Sequence, residues 1–320
     1  MRALTRPPVR GSRERGAAIL TALLVVTLAA SVVSGLFWRE HVAVRSVQNR
    51  LALAQTRWIE RAATDWAKVI LRSDQRAGPV DHLGEPWAVP VVETRLDETV
   101  TAGASLDDAS RDAVLAGRIV DAQSLFNLNS LAGTGGKPSE PHLAALRKLL
   151  TVVGRAESNA DLIARRVMQS AAADASGGAN GQSGATGRLA LIRVADLLDV
   201  PGLEPAVIGA LEPFVVVLPR STRINVNTAP AEVLAAAVPS LDISAARRFV
   251  ARRDRTFYRT LEQAAEEMDN RPVLSQAVFG VGSSFFVVSG VIRYDRVESQ
   301  SETLLERMAD RVEVVWQVRR

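Results

Sequence analysis

Residues 17–38 read AAILTALLVVTLAASVVSGLFW, twenty-two consecutive positions without a charge. A helix rising ~1.5 Å per residue carries such a run through roughly 33 Å, enough to cross a hydrocarbon core of about 30 Å. Arg2, Arg6, Arg10, Arg13 and Arg15 precede the run, and Arg39-Glu40 close it. That basic flank predicts a single pass with a cytoplasmic N-terminus and the body across the membrane.

The flank also explains a sequence pI near 10.0. Removing its five arginines and Glu14 from the 39 basic and 35 acidic residues leaves 34 of each. A neutral body has no general attraction for phosphate backbones, so the charge balance argues against a nucleic-acid partner. The chain has no cysteine, which excludes disulfides and thiolate metal sites.

Upstream, Arg13-Glu14-Arg15-Gly16-Ala17 joins a short basic leader to the apolar run. A secretory signal peptide with a cleavage site around Leu28-Ala29-Ala30-Ser31 is one reading, but signal cores usually run ~7–15 residues and this one is longer. A plain membrane anchor is another. A leader ending in Gly resembles the type IV prepilin signal, in which a dedicated peptidase cuts after the glycine and methylates the new N-terminus. Here that implies a leader over 1–16, cleavage between Gly16 and Ala17, and retention of the apolar helix. The fifth mature position, where most pilins carry Glu, is Thr21.

Downstream, no Pro or Gly interrupts Leu36 to Arg76, and Gly78-Pro79 ends the stretch. Val44, Val47, Leu51, Trp58, Ala62, Trp66, Val69 and Ile70 recur at helical spacing. This predicts one apolar face, with Arg45, Arg50, Arg57, Arg61, Lys68 and Arg72 as the wet side. A spanning half (17–38) followed by an amphipathic half (39–76) describes a pilin spine.

Residues 79–120 are short and turn-rich, with strands expected at 87–92 and 117–120. Helices are expected over 141–153 and 159–169, a mobile loop over the small polar stretch 171–187, and a helix reaching Leu211. In Arg223-Ile224-Asn225-Val226-Asn227-Thr228-Ala229-Pro230, Thr228 is placed to cap a helix with Pro230 in its first turn. A further helix is expected over 244–253. The phrases FNLN (126–129) and INVNTA (224–229) each open a helical unit. Phe285–Tyr294 has a buried-strand pattern, and 311–320 alternates as a half-buried strand. Long helix, strands, helices, strands is an α+β order.

The RG–A junction with Thr21, DAQSLFNLNSL, LLDVPGL…LEPFVVVLP, RINVNTAPAEVLAA and FFVVSGV…RVEVVW together resemble the family of general secretion pathway protein K (GspK), the K-type minor pseudopilins of type II secretion. The resemblance covers nearly the whole chain. It implies a type IV pilin-like long N-terminal helix packed on an antiparallel sheet, with an inserted all-helical domain of two SAM-like units. In this chain those parts fall at 79–120 and 281–320 for the sheet and at 121–219 and 220–280 for the helical units. It implies a non-enzymatic inner-membrane protein with a periplasmic body, sitting at a pseudopilus tip. The implied partners are the I- and J-type minor pseudopilins, the major pseudopilin, prepilin peptidase and the inner-membrane assembly platform. Ile19, Leu20, Thr21, Leu24 and Phe37 would pack against neighbouring spines.

Chemical sites are sparse. His41, His82 and His142 sit at unrelated places, and exposed histidines are the expectation. Residues 133–138 (GTGGKP) lack the first glycine of a phosphate loop and place Pro138 where Ser or Thr must bind magnesium. Gly280-Val281-Gly282-Ser283-Ser284 offers a serine without a recognisable base and reads as helix-to-strand punctuation. Members of the resembled family can bind calcium. Asp97-Glu98 and Asp107-Asp108 could supply oxygens, but their spacing matches no calcium loop and no residue is assigned. The alternative function is a membrane-anchored, helix-hairpin-helix-like DNA-uptake receptor, on the resemblance of 224–253 to that module and on Arg247, Arg248, Arg252 and Arg253. Against it, the turn 239–244 has no glycine and carries Asp242 where a phosphate would approach.

Overall fold

The computed structural model of the chain describes residues 13–95, 113–133, 137–177, 190–294 and 297–319. Two compact units divide between Arg57 and Trp58. In the first, every described residue belongs to α1 (Arg13–Ala77), which begins upstream of Gly16 rather than at Ala17. Its most apolar window has a mean hydropathy of 2.4 and no buried residue. Thr27 Oγ1 donates to the carbonyl of Leu24 (3.0 Å) and Ser31 Oγ to that of Thr27 (2.8 Å), so these hydroxyls are satisfied within the helix.

The second unit holds the last turns of α1 and the rest of the fold. Five antiparallel strands form one sheet in the order β1 (Val91–Arg95), β2 (Val114–Asp121), β7 (Phe285–Tyr294), β8 (Val297–Arg307), β9 (Val312–Arg319). Within β7, Phe286 faces the spine helix, joining Ala67, Leu71, Trp87, Ile119, Leu305 and Val312 in one buried cluster. Its neighbour Phe285 faces the other way and packs with Ala122, Leu218 and Leu304. A strand covered on both faces has no polar side to show, which is why β7 opens as an unbroken apolar run.

The covered stripe of α1 corrects the sequence expectation. In this unit it consists of Glu60, Thr64, Ala67, Leu71 and Asp74, all buried, whereas Trp58, Trp66 and Val69 are 69%, 54% and 60% exposed. The sheet beneath contributes bulky Trp87, Phe286 and Leu305. Ala67 and Leu71 of the helix pack against them at native density. Buried Glu60 is met by Gln317 Nε2 (2.7 Å) and Arg319 Nε (2.5 Å) from β9.

Between β2 and β7 the chain forms a helical insert: α2 (Glu140–Val152), α3 (Asn159–Gly177), α4 (Pro205–Leu211), α5 (Ala231–Ala237), α6 (Ile243–Arg253) and α7 (Leu261–Glu266). Its core joins Phe126, Leu146, Leu149, Ile163, Val167 and Leu211 to Val233, Leu234 and Phe249. Two small parallel pairings close on it, β3 (Phe126–Asn127) with β4 (Val215–Val216) and β5 (Ile224–Asn225) with β6 (Phe279–Gly280).

Other expectations need adjustment. Helix α3 continues to Gly177, into the stretch read as a loop, because alanines at 171–173 favour helix; 178–187 lie outside the described residues. Residues 86–88 form a 3-10 turn, with the strand beginning at Val91. Strand β8 was not expected, since VESQSE has no apolar alternation until Leu304 and Leu305. In β9 the register slips opposite Leu304 and Leu305, so Val315 is an extra residue and Val314 stays 43% exposed. The N-cap of α5 is Pro230; the hydroxyl of Thr228 is used elsewhere.

Candidate functional site

Two regions carry the structural argument: the N-terminal apolar helix and the join between insert and sheet. Gly16 and Ala17 both lie within α1. Ile19, Leu20, Leu24 and Phe37 are 61% to 70% exposed. Thr21 Oγ1 donates to the carbonyls of Ala17 (3.1 Å) and Ala18 (3.0 Å). Its hydroxyl therefore requires no partner from another chain.

At the join, Asp121 ends β2 with its carboxylate fully enclosed. Its Oδ1 accepts from the backbone N–H of Gln123 (2.8 Å). Its Oδ2 accepts from Thr228 Oγ1 (2.6 Å), Ser283 Oγ (2.6 Å) and Asn225 Nδ2 (3.0 Å). Burial pushes this carboxyl above the usual carboxylate range, while the Ser283, Thr228 and Gln123 hydrogen bonds pull the other way. Gln123 adds two ties, donating to the Arg223 carbonyl (3.0 Å) and accepting from the Ser284 N–H (2.7 Å).

Beside this lies a second polar group. Arg307 Nη1 donates to Asp74 Oδ2 (2.8 Å), and Nη2 reaches both oxygens of Asp81 (2.6 Å) and the Ser283 carbonyl (2.7 Å). Its guanidinium also lies 4.8 Å from the Phe286 ring centre. Burial raises the carboxyls of Asp74 and Asp81, and Arg307 opposes the rise in both. Among the described residues, Asp74, Asp81 and Glu85 form the acidic group whose oxygens approach within 4.8 Å. Arg307 already engages Asp74 and Asp81, and Glu85 Oε2 accepts from Trp87 Nε1 (2.7 Å). This arrangement does not fit a calcium cage, and Asp97, Glu98, Asp107 and Asp108 lie outside the described residues, as do residues 134–136 of the glycine-rich stretch.

The paired phrases FNLN and INVN have one local geometry. Asn127 Oδ1 accepts from the Asn129 N–H (3.1 Å), and Asn225 Oδ1 from the Asn227 N–H (3.0 Å). The N–H of Phe126 donates to the Phe214 carbonyl (2.9 Å), and that of Ile224 to the Val278 carbonyl (2.7 Å). Each phrase thus pairs with a segment farther along the chain. These asparagines organise backbone rather than chemistry.

Four arginines motivated the DNA reading, and the fold gives each an internal partner. Arg253 is buried and donates to the carbonyls of Val226 (3.0 Å) and Ala229 (2.6 Å). Arg248 pairs with Asp269, Arg252 with Glu267 and Asp269, and Arg247 with Glu232. Asp242 caps α6, accepting from the Ala245 N–H (2.8 Å) at the position a phosphate would need. Two of the histidines also differ from expectation: His142 is buried against Ser139 Oγ (2.8 Å), and His82 stacks on Phe257 with ring centres 3.8 Å apart, whereas His41 is exposed as expected.

The residues missed in the sequence were Asp81, Asp121, Ser283 and Arg307. Asp121 and Ser283 were within quoted phrases, but nothing in their spacing announced that segments over a hundred residues apart would meet.

A long apolar-to-amphipathic helix laid on an antiparallel sheet, with a helical domain inserted between two strands, defines a pilin-like subunit of α+β class. Family models described as "Type II secretion system (T2SS), protein K" match residues 124–220 and 224–288. Type II secretion system protein K of Pseudomonas aeruginosa is 30% identical over 311 residues, covering 91% of this chain and 88% of the relative. Its counterpart in Pectobacterium carotovorum subsp. carotovorum is 26% identical, covering 95% and 96%. The chain belongs to the type II secretion system protein K family. Its fold is similar to a chain in the crystal structure of the GspK-GspI-GspJ complex from the enterotoxigenic Escherichia coli type II secretion system, with a TM-score of 0.64 at 20% identity, covering 87% of this chain and 99% of that one.

Proposed function

We propose that this chain is a minor pseudopilin that sits at the tip of a type II secretion pseudopilus, primes its assembly with I- and J-type partners, and supports export across the outer membrane. The observation that carries the reading is the exposed, uncharged helix 17–38 continuing into a spine whose sheet bears a bulky insert on its opposite face. Such an insert would block a further subunit from stacking above, which favours an end position.

In this reading a prepilin peptidase cuts between Gly16 and Ala17, and Ala17 becomes the methylated N-terminus. In the same reading residues 1–16 lie in the cytoplasm before cleavage and the body in the periplasm, an orientation supported by the basic flank of the span. Sheet regions 79–120 and 281–320 carry helical units 121–219 and 220–280, and the role is structural rather than catalytic. N-terminal sequencing of the mature protein tests it. A start at Ala17, abolished together with secretion by Gly16→Asp, is the expected outcome; a soluble form beginning beyond Ala30 would refute it.

A further inference from the structure

Directly beyond the apolar run, α1 carries a band of arginines that the rest of the chain leaves without partners. Arg39, Arg45, Arg50 and Arg57 stand there against one acid, Glu40. All four are exposed, and among the described residues none of them forms an ion pair. In the folded body, by contrast, Arg220, Arg248, Arg293 and Arg307 each rest on a carboxylate. Cations normally gather on the cytoplasmic side of a span, so a basic band on the translocated side runs against the usual bias. In the reading above, cutting after Gly16 also removes the five arginines of the leader. The cations nearest the span then lie only at its far end.

We infer that Arg39, Arg45 and Arg50 form a site for anionic phospholipid headgroups on the membrane face where the body emerges. Trp38, 71% exposed, ends the apolar run at the depth where indoles settle in bilayers. At ~1.5 Å per residue, Arg39 and Arg45 lie about 1.5 and 10 Å beyond it. Helix side chains lean toward the N-terminus, here toward the membrane, so both guanidinium groups reach the headgroup layer. Arg50, roughly 18 Å out, leans back to about a Debye length from that layer. Guanidinium groups match phosphodiester oxygens. A zwitterionic lipid offers the same phosphate but sets its own ammonium against the band, so the site selects lipids of net negative charge. The inference rests on 17–38 spanning the bilayer and adds the lipid class that the exit point of the span recognises.

The chain has no cysteine, so Val42→Cys gives a single labelling point between Trp38 and Arg45, itself 50% exposed. The full chain, carrying the fluorophore NBD there, is reconstituted in phosphatidylcholine bilayers. These contain equal small amounts of either phosphatidylglycerol or phosphatidylcholine bearing a nitroxide near the headgroup. Lipids held by the leader do not report, because Gly16 lies about 39 Å along the helix from the label. Basic residues beside a span gain roughly fivefold each in affinity for an anionic surface, so the phosphatidylglycerol nitroxide should quench with about a tenfold preference or more. Arg39→Gln with Arg45→Gln and Arg50→Gln should bring the two lipids level. Arg247→Gln with Arg248→Gln, on the exposed face of α6, should leave the preference intact. Equal quenching in the parent, or a preference that survives the triple variant, overturns the inference and leaves the span standing. Quenching by neither lipid overturns both.

Discussion

Asn225 donates to Asp121 at 3.0 Å across 104 residues of sequence, and the same amide lies 3.1 Å from the Asp81 carbonyl. One side chain of the insert thus holds the end of β2 and the loop that leaves the spine. Its value as an amide is that it is neutral and donates. Asn225→Asp puts a second carboxylate against Asp121 in a site closed to water, and the expected loss is about 3–5 kcal/mol at neutral pH. Asn225→Ala, which removes donors without adding charge, should cost about 1–3 kcal/mol. Urea unfolding of the detergent-held chain separates the two, and acidification should rescue only the aspartate variant. Equal losses at both pH values would show that charge is not the issue.

Asp121 itself gives a pH signature. Its carboxyl is raised by burial, so the folded chain keeps the proton to higher pH than the unfolded chain. The stability this contributes is complete below the unfolded value of about 3.9 and is lost as pH rises through the folded value. Asp121→Asn cannot ionise. Relative to the parent, the variant should gain stability as pH climbs from about 4 toward neutrality. Parallel stability curves for parent and variant would mean an ordinary carboxylate.

Arg307 is the cation that Asp74 and Asp81 share. Arg307→Met keeps much of the side-chain volume over Phe286 but strands two buried acids. The expected cost is about 3–5 kcal/mol. Adding Asp74→Asn and Asp81→Asn should recover most of it, because the penalty belongs to unpaired charge rather than to lost packing. A triple variant as unstable as Arg307→Met would contradict that assignment.

How much of this was legible beforehand varies by element. The apolar run at 17–38, the strand Phe285–Tyr294 and the helix over 244–253 could be read because periodicity is a local property. Which face of the spine is buried could not be read that way. The rule that the apolar side faces the body fails here because the sheet supplies the large side chains, Phe286 and Leu305, and the helix supplies Ala67 and Thr64. The join was hidden for a different reason. Asp121, Asn225, Ser283 and Arg307 become neighbours only through the order of strands in the sheet, and sequence spacing carries no trace of that.

The two faces of α1 predict opposite mutational behaviour. Leu71 is fully buried, so Leu71→Ala should cost about 2–5 kcal/mol through transfer and cavity terms. Trp66 is half-exposed, and Trp66→Ala in the isolated chain should cost less than about 1 kcal/mol despite deleting the larger side chain. Urea midpoints decide it. The reverse ranking would restore the face read from sequence.

Thr21 completes its hydrogen bonds on Ala17 and Ala18 within its own helix. A glutamate in its place has no such option, and its carboxylate would need a cation from a neighbouring chain or carry a cost of about 2.5–3.5 kcal/mol for an acid inside the span. Thr21→Val, by contrast, loses only an internally satisfied hydroxyl. Secretion in cells carrying each variant is therefore expected to fall for Thr21→Glu and to hold for Thr21→Val. The glutamate variant also gains the means to pair with a neighbour's free N-terminus, so its share of the secretion complex should shift away from the end position. If Thr21→Glu exports as well as the parent, the missing acid has no bearing on where the subunit sits.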